Sequence, residues 1–480
     1  MSLDKFGKDE WAARHGERLS KRSGWQVVAV RAIERVPMWA RFALLIAAGL
    51  LIPQITSNNY IIRIAGTTAL MGTLALALNV VVGYAGLLDL GFVAFYGLGG
   101  YAYAYLSSEF SAVHWPTWAS LPFIAILGAL FGLLLGSPSL RLVGDYLAIV
   151  TLGFGQIFVQ LATSLTRVEV PWSENPLNLT GGPNGIVDLD PIRLFGFTAR
   201  SVTDYYYILL AILVAILLVV YRLNHSRVGR AWRSLREDDL AAESMGMPTR
   251  RLKLLAFAIG ASIAGLSGAV FAAWQGAVFP SNFDVTLLIT IYAIVVLGGL
   301  GSLPGVLAGA VILVVVPEIL RDVDVSGMLF YLGVLITLFA ALKPRWKMPL
   351  LLIAVFVFGI AVKALIGAIA PDTLAVLPLT PSIIGDAIRE WLALPAEPAR
   401  PGNLAFGALV VMFVLVSRIQ HSGWRFAGLI PTLYLLAFVW ETRLSQEPSI
   451  TRLLLVGVML VTLMNYRPNG LLGRRRVEVV

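Results

Sequence analysis

Apolar runs of roughly 15 to 25 residues recur from Met38 almost to the C-terminus, each ended by a short polar or glycine-rich stretch. A hydrocarbon layer offers no water to backbone N–H and C=O groups. A chain that enters it repeatedly must close those bonds internally, and a helix does so within one segment. The pattern predicts an all-α polytopic membrane protein. Composition agrees: charged residues make up 14% of the chain, against about 25% in soluble domains. The 480 residues therefore form one helical membrane body rather than two or three soluble domains.

The runs place about fourteen transmembrane segments, near 38–56, 62–82, 86–106, 118–136, 145–165, 204–221, 254–275 and 286–298, then 304–320, 328–342, 349–370, 404–417, 425–440 and 450–466. Residues 1–37 are polar and mixed in charge, with no signal-peptide core. They read as a cytoplasmic N-terminal segment. With that end inside and every span crossing, Arg141, the loop 222–253, Lys343, Arg345, Lys347, Arg418, Arg425 and the tail Arg474–Arg476 all fall inside. Glu109, the loop 166–203, Asp284, Asp322, Asp324 and the stretch 371–403 fall outside. The basic excess is on one side throughout, as cytoplasmic loops require. Both termini are then cytoplasmic. Trp39, Trp118, Trp274, Trp346, Trp424 and Trp440 fall near span ends, where interfacial anchors belong.

The net charge of +9 is explained by those basic loops facing a lipid bilayer and implies no nucleic-acid partner. There is no cysteine, and His15, His114, His225 and His421 are far apart in sequence. No metal site, cofactor or catalytic cluster is expected. "GLGGYA" (97–102) imitates a dinucleotide fingerprint but lies in an apolar span, where helix packing explains it. Gly128, Gly132 and Gly136, and the pair Gly305 and Gly309, have the four-residue spacing that lets helices approach closely.

The loop 222–253 is unlike its surroundings: it holds eight Lys/Arg and four Asp/Glu between two oily spans. Ser234 and Glu237 have the S-x-x-E spacing of a capping box. Gly246 suits a left-handed cap and Pro248 forbids continuation. The spacing predicts a water-facing helix of about three turns over 234–246, with small residues Ala241, Ala242 and Ser244 at its middle. A connector needs only a few residues, so the helix reads as a docking element for a cytoplasmic protein; the plain alternative is a solvated interfacial helix.

Two stretches interrupt apolar runs, "GYAGLLDLG" (83–91) and "GGLGSLPG" (298–305). They are either tight turns or broken helices lining a pathway. Asn79, Asp89 and Gln156 are the polar candidates for that pathway, with Asp145 a further wall residue. Arg63 and Lys363 read as side chains reaching an interface. "TGGPNGI" (180–186) specifies a compact turn in the outside loop.

The stretch 227–272, "RVGRAWRSLREDDLAAESMGMPTRRLKLLAFAIGASIAGLSGAVFA", resembles the cytoplasmic loop and following span of LivM-type permeases of branched-chain amino-acid ABC importers. "LNVVVGYAGLLDLGFVAFYGLGGY" (78–101), "LRLVGDYLAIVTLGFGQI" (140–157), "TGGPNGI", "AIVVLGGLGSLPGVLAGAVILVV" (293–315) and the tail "NYRPNGLLG" (465–473) resemble it too. The resemblance covers roughly residues 60–320. It implies a coupling helix with an E-A-A-x-x-x-G pattern that sits in a cleft of an ATPase. Ala241, Ala242 and Gly246 keep that pattern, while Leu240 replaces the Glu, leaving Asp239 or Glu243 to supply the acidic contact. It also implies two cytoplasmic ATPase subunits, a second related permease, a periplasmic amino-acid-binding protein, and a bacterial inner membrane location. The ATPase must be a separate chain, because no G-x-x-x-x-G-K-[ST] loop occurs.

Family members of ordinary length would end soon after "LKPRW" (342–346). Here about four spans follow a core of about ten. The expected organisation is a cytoplasmic segment 1–37, a permease core 38–342, an additional membrane insert 343–449, and a last span with basic tail, 450–480. The leading expectation is an ATP-driven importer permease for branched-chain or other hydrophobic amino acids, with no enzymatic activity of its own. Rival expectations are a permease for urea or short amides, and an ion-coupled secondary carrier using Asp89 and Asp145.

Overall fold

The computed structural model describes Met38 to Gln446 except residues 140–144, 167, 169–177, 195, 320, 322, 343–345, 370–390, 396, 398 and 420; beyond Gln446 it describes a few positions, including 470–472. The N-terminal segment 1–37, Arg141, Asp386 of the 371–403 connection, most of the span at 450–466 and the tail arginines lie outside the described residues. The helices are α1 (Met38–Ile55), α2 (Asn59–Leu78), α3 (Phe92–Leu106), α4 (Thr117–Ser139), α5 (Asp145–Ser164), α6 (Val202–His225), α7 (Arg227–Glu237) and α8 (Asp239–Ser244). They continue with α9 (Thr249–Gln275), α10 (Val285–Gly298), α11 (Leu303–Ile319), α12 (Val323–Ala341), α13 (Lys347–Ile369), α14 (Ala399–Arg418) and α15 (Ser422–Gln446). Among the described residues, nine helical stretches are long and apolar enough to cross a membrane, and Ile46–Ile55, Leu303–Ile319 and Gly327–Phe339 are shorter apolar helices.

Local chemistry sets the helix ends. The Ser201 hydroxyl accepts from the Asp204 N–H at 3.1 Å while the Asp204 carboxylate accepts from the Ser201 N–H at 2.9 Å, a reciprocal cap that starts α6. Asp284 accepts from the Leu287 N–H at 3.0 Å and starts α10. α9 is the central strut. Its 27 residues span about 40 Å, and most of its second half is buried. The glycine stripe of α4 lies against it: a β-carbon at Gly128 would come within 2.7 Å of the Ala261 carbonyl, and one at Gly132 within 2.9 Å of the Phe257 carbonyl. Gly97, Gly99 and Gly100 belong to α3, and Gly99 packs on the backbone of Gly265 in α9. "GLGGYA" is thus helix packing.

The connections gather at the two ends of α9. At its C-terminal end, Ile186–Val187 pairs antiparallel with Ala277–Val278. There the Leu189 N–H donates to the Gly276 carbonyl at 3.2 Å and the Asp190 N–H to the Ser107 carbonyl at 2.7 Å. Asp190 also meets His114 at 2.6 Å. "TGGPNGI" is part of this hub: Gly181, Gly182 and Gly185 all have positive φ, so the motif shapes the turn that presents Ile186 to the ladder. The loop 222–253 gathers at the other end.

Helices α12 to α15 form their own apolar clusters, one around Leu392, Leu394, Tyr434 and Ala437, another around Leu338, Leu351 and Val355. Trp440 does not anchor an interface. It is buried, stacked on Phe330 with ring centroids 3.9 Å apart. Its neighbour Glu441 accepts from the Tyr331 hydroxyl at 2.9 Å. A tryptophan near a span end still buries itself when an aromatic partner on a facing helix removes it from water. Trp118, Trp346 and Trp424 are exposed.

Candidate coupling site and pathway residues

The loop 222–253 is a folded unit of two short helices, not one helix over 234–246. Ser226 caps α7, its hydroxyl accepting from the Gly229 N–H at 3.3 Å. Gly229, Trp232 and Leu235 then fall on one buried face. That apolar spacing carries the helix through Ser234, so Ser234 and Glu237 do not form a capping box. The break comes at Asp238, which is extended at φ −154° and whose carboxylate accepts from the Ala241 N–H at 2.9 Å. Asp238, with Asp239 in the first turn, starts α8. At the other end Gly246 adopts φ +79°, the left-handed cap expected of it.

Two ties fix this unit to α9. Trp232 is fully buried, and its indole N–H donates to the Leu252 carbonyl in α9 at 2.8 Å. Lys253 of α9 pairs with Asp239. With Asp239 engaged inside the chain, Glu243 is the exposed carboxylate of α8. Ala242 is also turned inward, only 4% exposed, so it is not the open contact position that its small size suggests. What α8 offers outward is Leu240, 77% exposed, and Met245, 83% exposed, with Ala241 between them. Large apolar side chains at this exposure stand out on a loop otherwise rich in charge. Periodicity could not reveal them, because six residues are too few to show which face is covered.

The three pathway candidates do not gather at one place. Asn79 opens a π-helical turn, Asn79–Tyr84, that continues α2. Its side-chain oxygen accepts from the Gly301 N–H at 2.8 Å, so the breaks 83–91 and 298–305 meet each other. Both also lie against the loop 222–253: the Arg236 guanidinium donates to the Gly83 carbonyl, and a β-carbon at Gly301 would meet the same guanidinium. Asp89 is buried. One oxygen accepts from the Gly91 N–H at 3.0 Å, and its main-chain carbonyl accepts from the Tyr292 hydroxyl at 2.6 Å. The other carboxylate oxygen is buried with no hydrogen-bond partner among the described residues. Thr151 of α5 receives the Leu90 N–H at 2.9 Å. Gln156, one turn further along α5, is exposed, as is Asp145 at the helix start.

Sequence pattern does not single out Arg236, Glu318 or Arg321. At the end of the bundle away from the loop 222–253, a pocket of about 290 Å³ lies between α2 and α11. Its charges are largely matched inside it: Glu318 accepts from the Tyr60 hydroxyl and pairs with Arg321 at 3.1 Å, while Arg63 donates to Gln275 at 3.3 Å.

Comparison with known proteins identifies what this glycine-interrupted helical body, with its water-exposed helix α8, is similar to. The family described as branched-chain amino acid transport system / permease component matches residues 60–342. The chain belongs to this family. Among similar permeases is the high-affinity branched-chain amino acid transport system permease protein LivM of Escherichia coli K12. It is 40% identical over 312 residues, covering 60% of this chain and 70% of the relative. The probable branched-chain amino acid transport permease protein LivM of Methanocaldococcus jannaschii is 25% identical over 276 residues, covering 54% of this chain and 75% of the relative. The LivH permease of Escherichia coli K12 is 32% identical over 117 residues, covering 24% and 38%. No solved structure matches the chain. The family match stops at residue 342, so α13, α14 and α15 lie beyond the part this permease shares with its family.

Proposed function

We propose that this permease is a subunit of an ATP-driven importer for branched-chain or other hydrophobic amino acids, resident in a bacterial inner membrane with fourteen spans and both termini cytoplasmic. The complex has two cytoplasmic ATPase subunits, and α8 sits in a cleft of one of them. A second, related permease completes the pathway, and a periplasmic binding protein delivers the amino acid. Asp239, Ala241, Ala242, Glu243 and Gly246 make up the coupling element: Glu243 and Ala241 at its surface, Asp239 half-exposed and paired with Lys253, Ala242 inside it, Gly246 at its cap. The observation that carries this reading is a short capped helix, anchored to α9 by Trp232 and Lys253, that holds Leu240 and Met245 out from a charged loop. A secondary carrier needs no such element. The relatives' names favour branched-chain amino acids over urea or short amides.

Reconstitution tests it. Liposomes holding the whole complex should take up leucine only with ATP and the binding protein. Liposomes holding this chain alone should not accumulate leucine under a proton or sodium gradient. Gradient-driven uptake by the isolated chain would overturn the proposal.

A further inference from the structure

We infer that Arg236 is the positioning residue through which movement of α8 reaches the membrane body, by clamping the two interrupted segments 83–91 and 298–305 into one unit. The inference rests on the importer reading above.

Arg236 is two residues before Asp238, the cap of α8. It does not point into the water with the other arginines of the loop. Its guanidinium reaches inward and donates to the Gly83 carbonyl. That carbonyl sits in the last turn of the π-helical segment, where carbonyls run out of helical partners. An unpaired carbonyl away from water is costly, and a guanidinium is a strong donor for it. The same side chain fills a notch between two glycines, one from each break. A β-carbon at Gly86 would lie 2.9 Å from the Arg236 Cγ, and one at Gly301 would lie 2.9 Å from an Arg236 guanidinium nitrogen. Both glycines have positive φ, +74° and +81°, so the backbone is bent around the arginine at both places.

The second break is also tied to the turn that leads into the first, through the Gly301 N–H and the Asn79 side chain at 2.8 Å. The C-terminal segment completes the unit. The Leu471 N–H donates to the Leu297 carbonyl at 2.8 Å and the Leu472 N–H to the Gly298 carbonyl at 3.1 Å, covering the last carbonyls of α10. The end of α2, the α10–α11 turn and the tail therefore share one set of hydrogen bonds, and Arg236 is the side chain that joins this set to the docking helix. With Trp232 and Lys253 holding α7 and α8 to α9, a shift of α8 has a direct route to two helix ends at once.

The assay is the uptake of radiolabelled leucine per ATP hydrolysed by the complete complex in liposomes, with co-purification of the ATPase subunits measured in parallel. Arg236→Met keeps the length and apolar stem but removes the donor. It should lower the uptake-to-hydrolysis ratio about tenfold or more, the worth of a hydrogen bond to a charged group, while co-purification stays within about twofold. Arg236→Lys, which keeps a cationic donor, should recover much of the ratio. Asn79→Leu cuts the tie between the breaks without touching the loop's surface, and should lower the ratio with assembly intact. An unchanged ratio in Arg236→Met overturns the inference. So does a fall in uptake that tracks lost co-purification, which would make Arg236 a docking residue. If Arg236→Met is not recovered from membranes, Asn79→Leu decides by the same two outcomes. Failure of the importer reading itself appears earlier, as a wild-type complex without ATP-dependent leucine uptake.

Discussion

Replacing Leu240 is the sharpest test of the docking surface. Its side chain is 77% exposed in the isolated permease, so nothing in the chain depends on it, and an exposed substitution changes stability by about 0.5 kcal/mol or less. If an ATPase cleft covers it, most of a leucine side chain is buried on assembly. Full burial of such a side chain stabilises by about 1.5–3 kcal/mol, so Leu240→Ala should cost about 1–2 kcal/mol of docking energy, roughly tenfold in affinity. Leu240→Asp adds the desolvation of a carboxylate, several kcal/mol more, and should abolish stable assembly. Ala242→Arg is a poorer probe. With Ala242 only 4% exposed, the new side chain would disrupt the loop's own packing at about 1–3 kcal/mol before any partner is involved. Arg251→Ala, in exposed sequence beyond α8, is the control and should change assembly little. The measurement is co-purification of the ATPase subunits with each variant, alongside the thermal stability of the permease alone. Full assembly and uptake by Leu240→Asp would show that α8 is a passive connector.

Two further outcomes follow from single positions. Gly246 has φ +79° with open space around its α-carbon, so Gly246→Ala should loosen α8 by about 1 kcal/mol through backbone strain alone, and Gly246→Asn by clearly less; amide exchange over residues 239–247 reads this, and equal effects of the two would contradict it. The chain has no native cysteine, so a membrane-impermeant maleimide should label Val187→Cys in intact cells and Leu240→Cys only after permeabilisation, both sites being exposed; labelling of both from one side would refute the opposite-end arrangement.

The membrane body was legible because its signal is redundant. A run of apolar residues long enough to cross is read correctly even when its ends are misjudged by several residues, and Met38–Ile55, Thr117–Ser139 and Thr249–Gln275 all lie where such runs predict. The glycine stripes of α4 and α11 were legible for a similar reason, since four-residue spacing has few uses in an apolar helix other than close packing. The loop 222–253 was only half legible. Gly246 declared the end of α8, but a capping pattern at Ser234 lost to the buried Trp232 and Leu235, because two apolar anchors on one face outweigh one side-chain cap. Arg236 was hidden altogether. In sequence it is one of eight basic residues in its loop, and only its position beside Gly83, Gly86 and Gly301 distinguishes it from solvated charge.

The added membrane segment has its clearest constraint in parity. α11 starts beside the clamp at Gly301 and ends beside Tyr60, whose hydroxyl meets Glu318 near the opposite end of the bundle. If α12 crosses back, the chain stands at the loop end when it reaches Leu342, where the family match stops. It stands at that end again at Gly470 to Leu472, since Leu471 and Leu472 bond to the last carbonyls of α10. An even number of crossings must separate the two points. α13, α14 and α15 are each long and apolar enough for one crossing, which leaves the chain on the wrong side after Gln446. The expected span at 450–466 lies mostly outside the described residues, and it would supply the fourth crossing before Gly470. The proposed total of fourteen rests on that return. Within the described residues α15 packs on α12 through Tyr331, Phe330, Trp440 and Glu441, and Leu471 and Leu472 beyond it reach the α10–α11 turn.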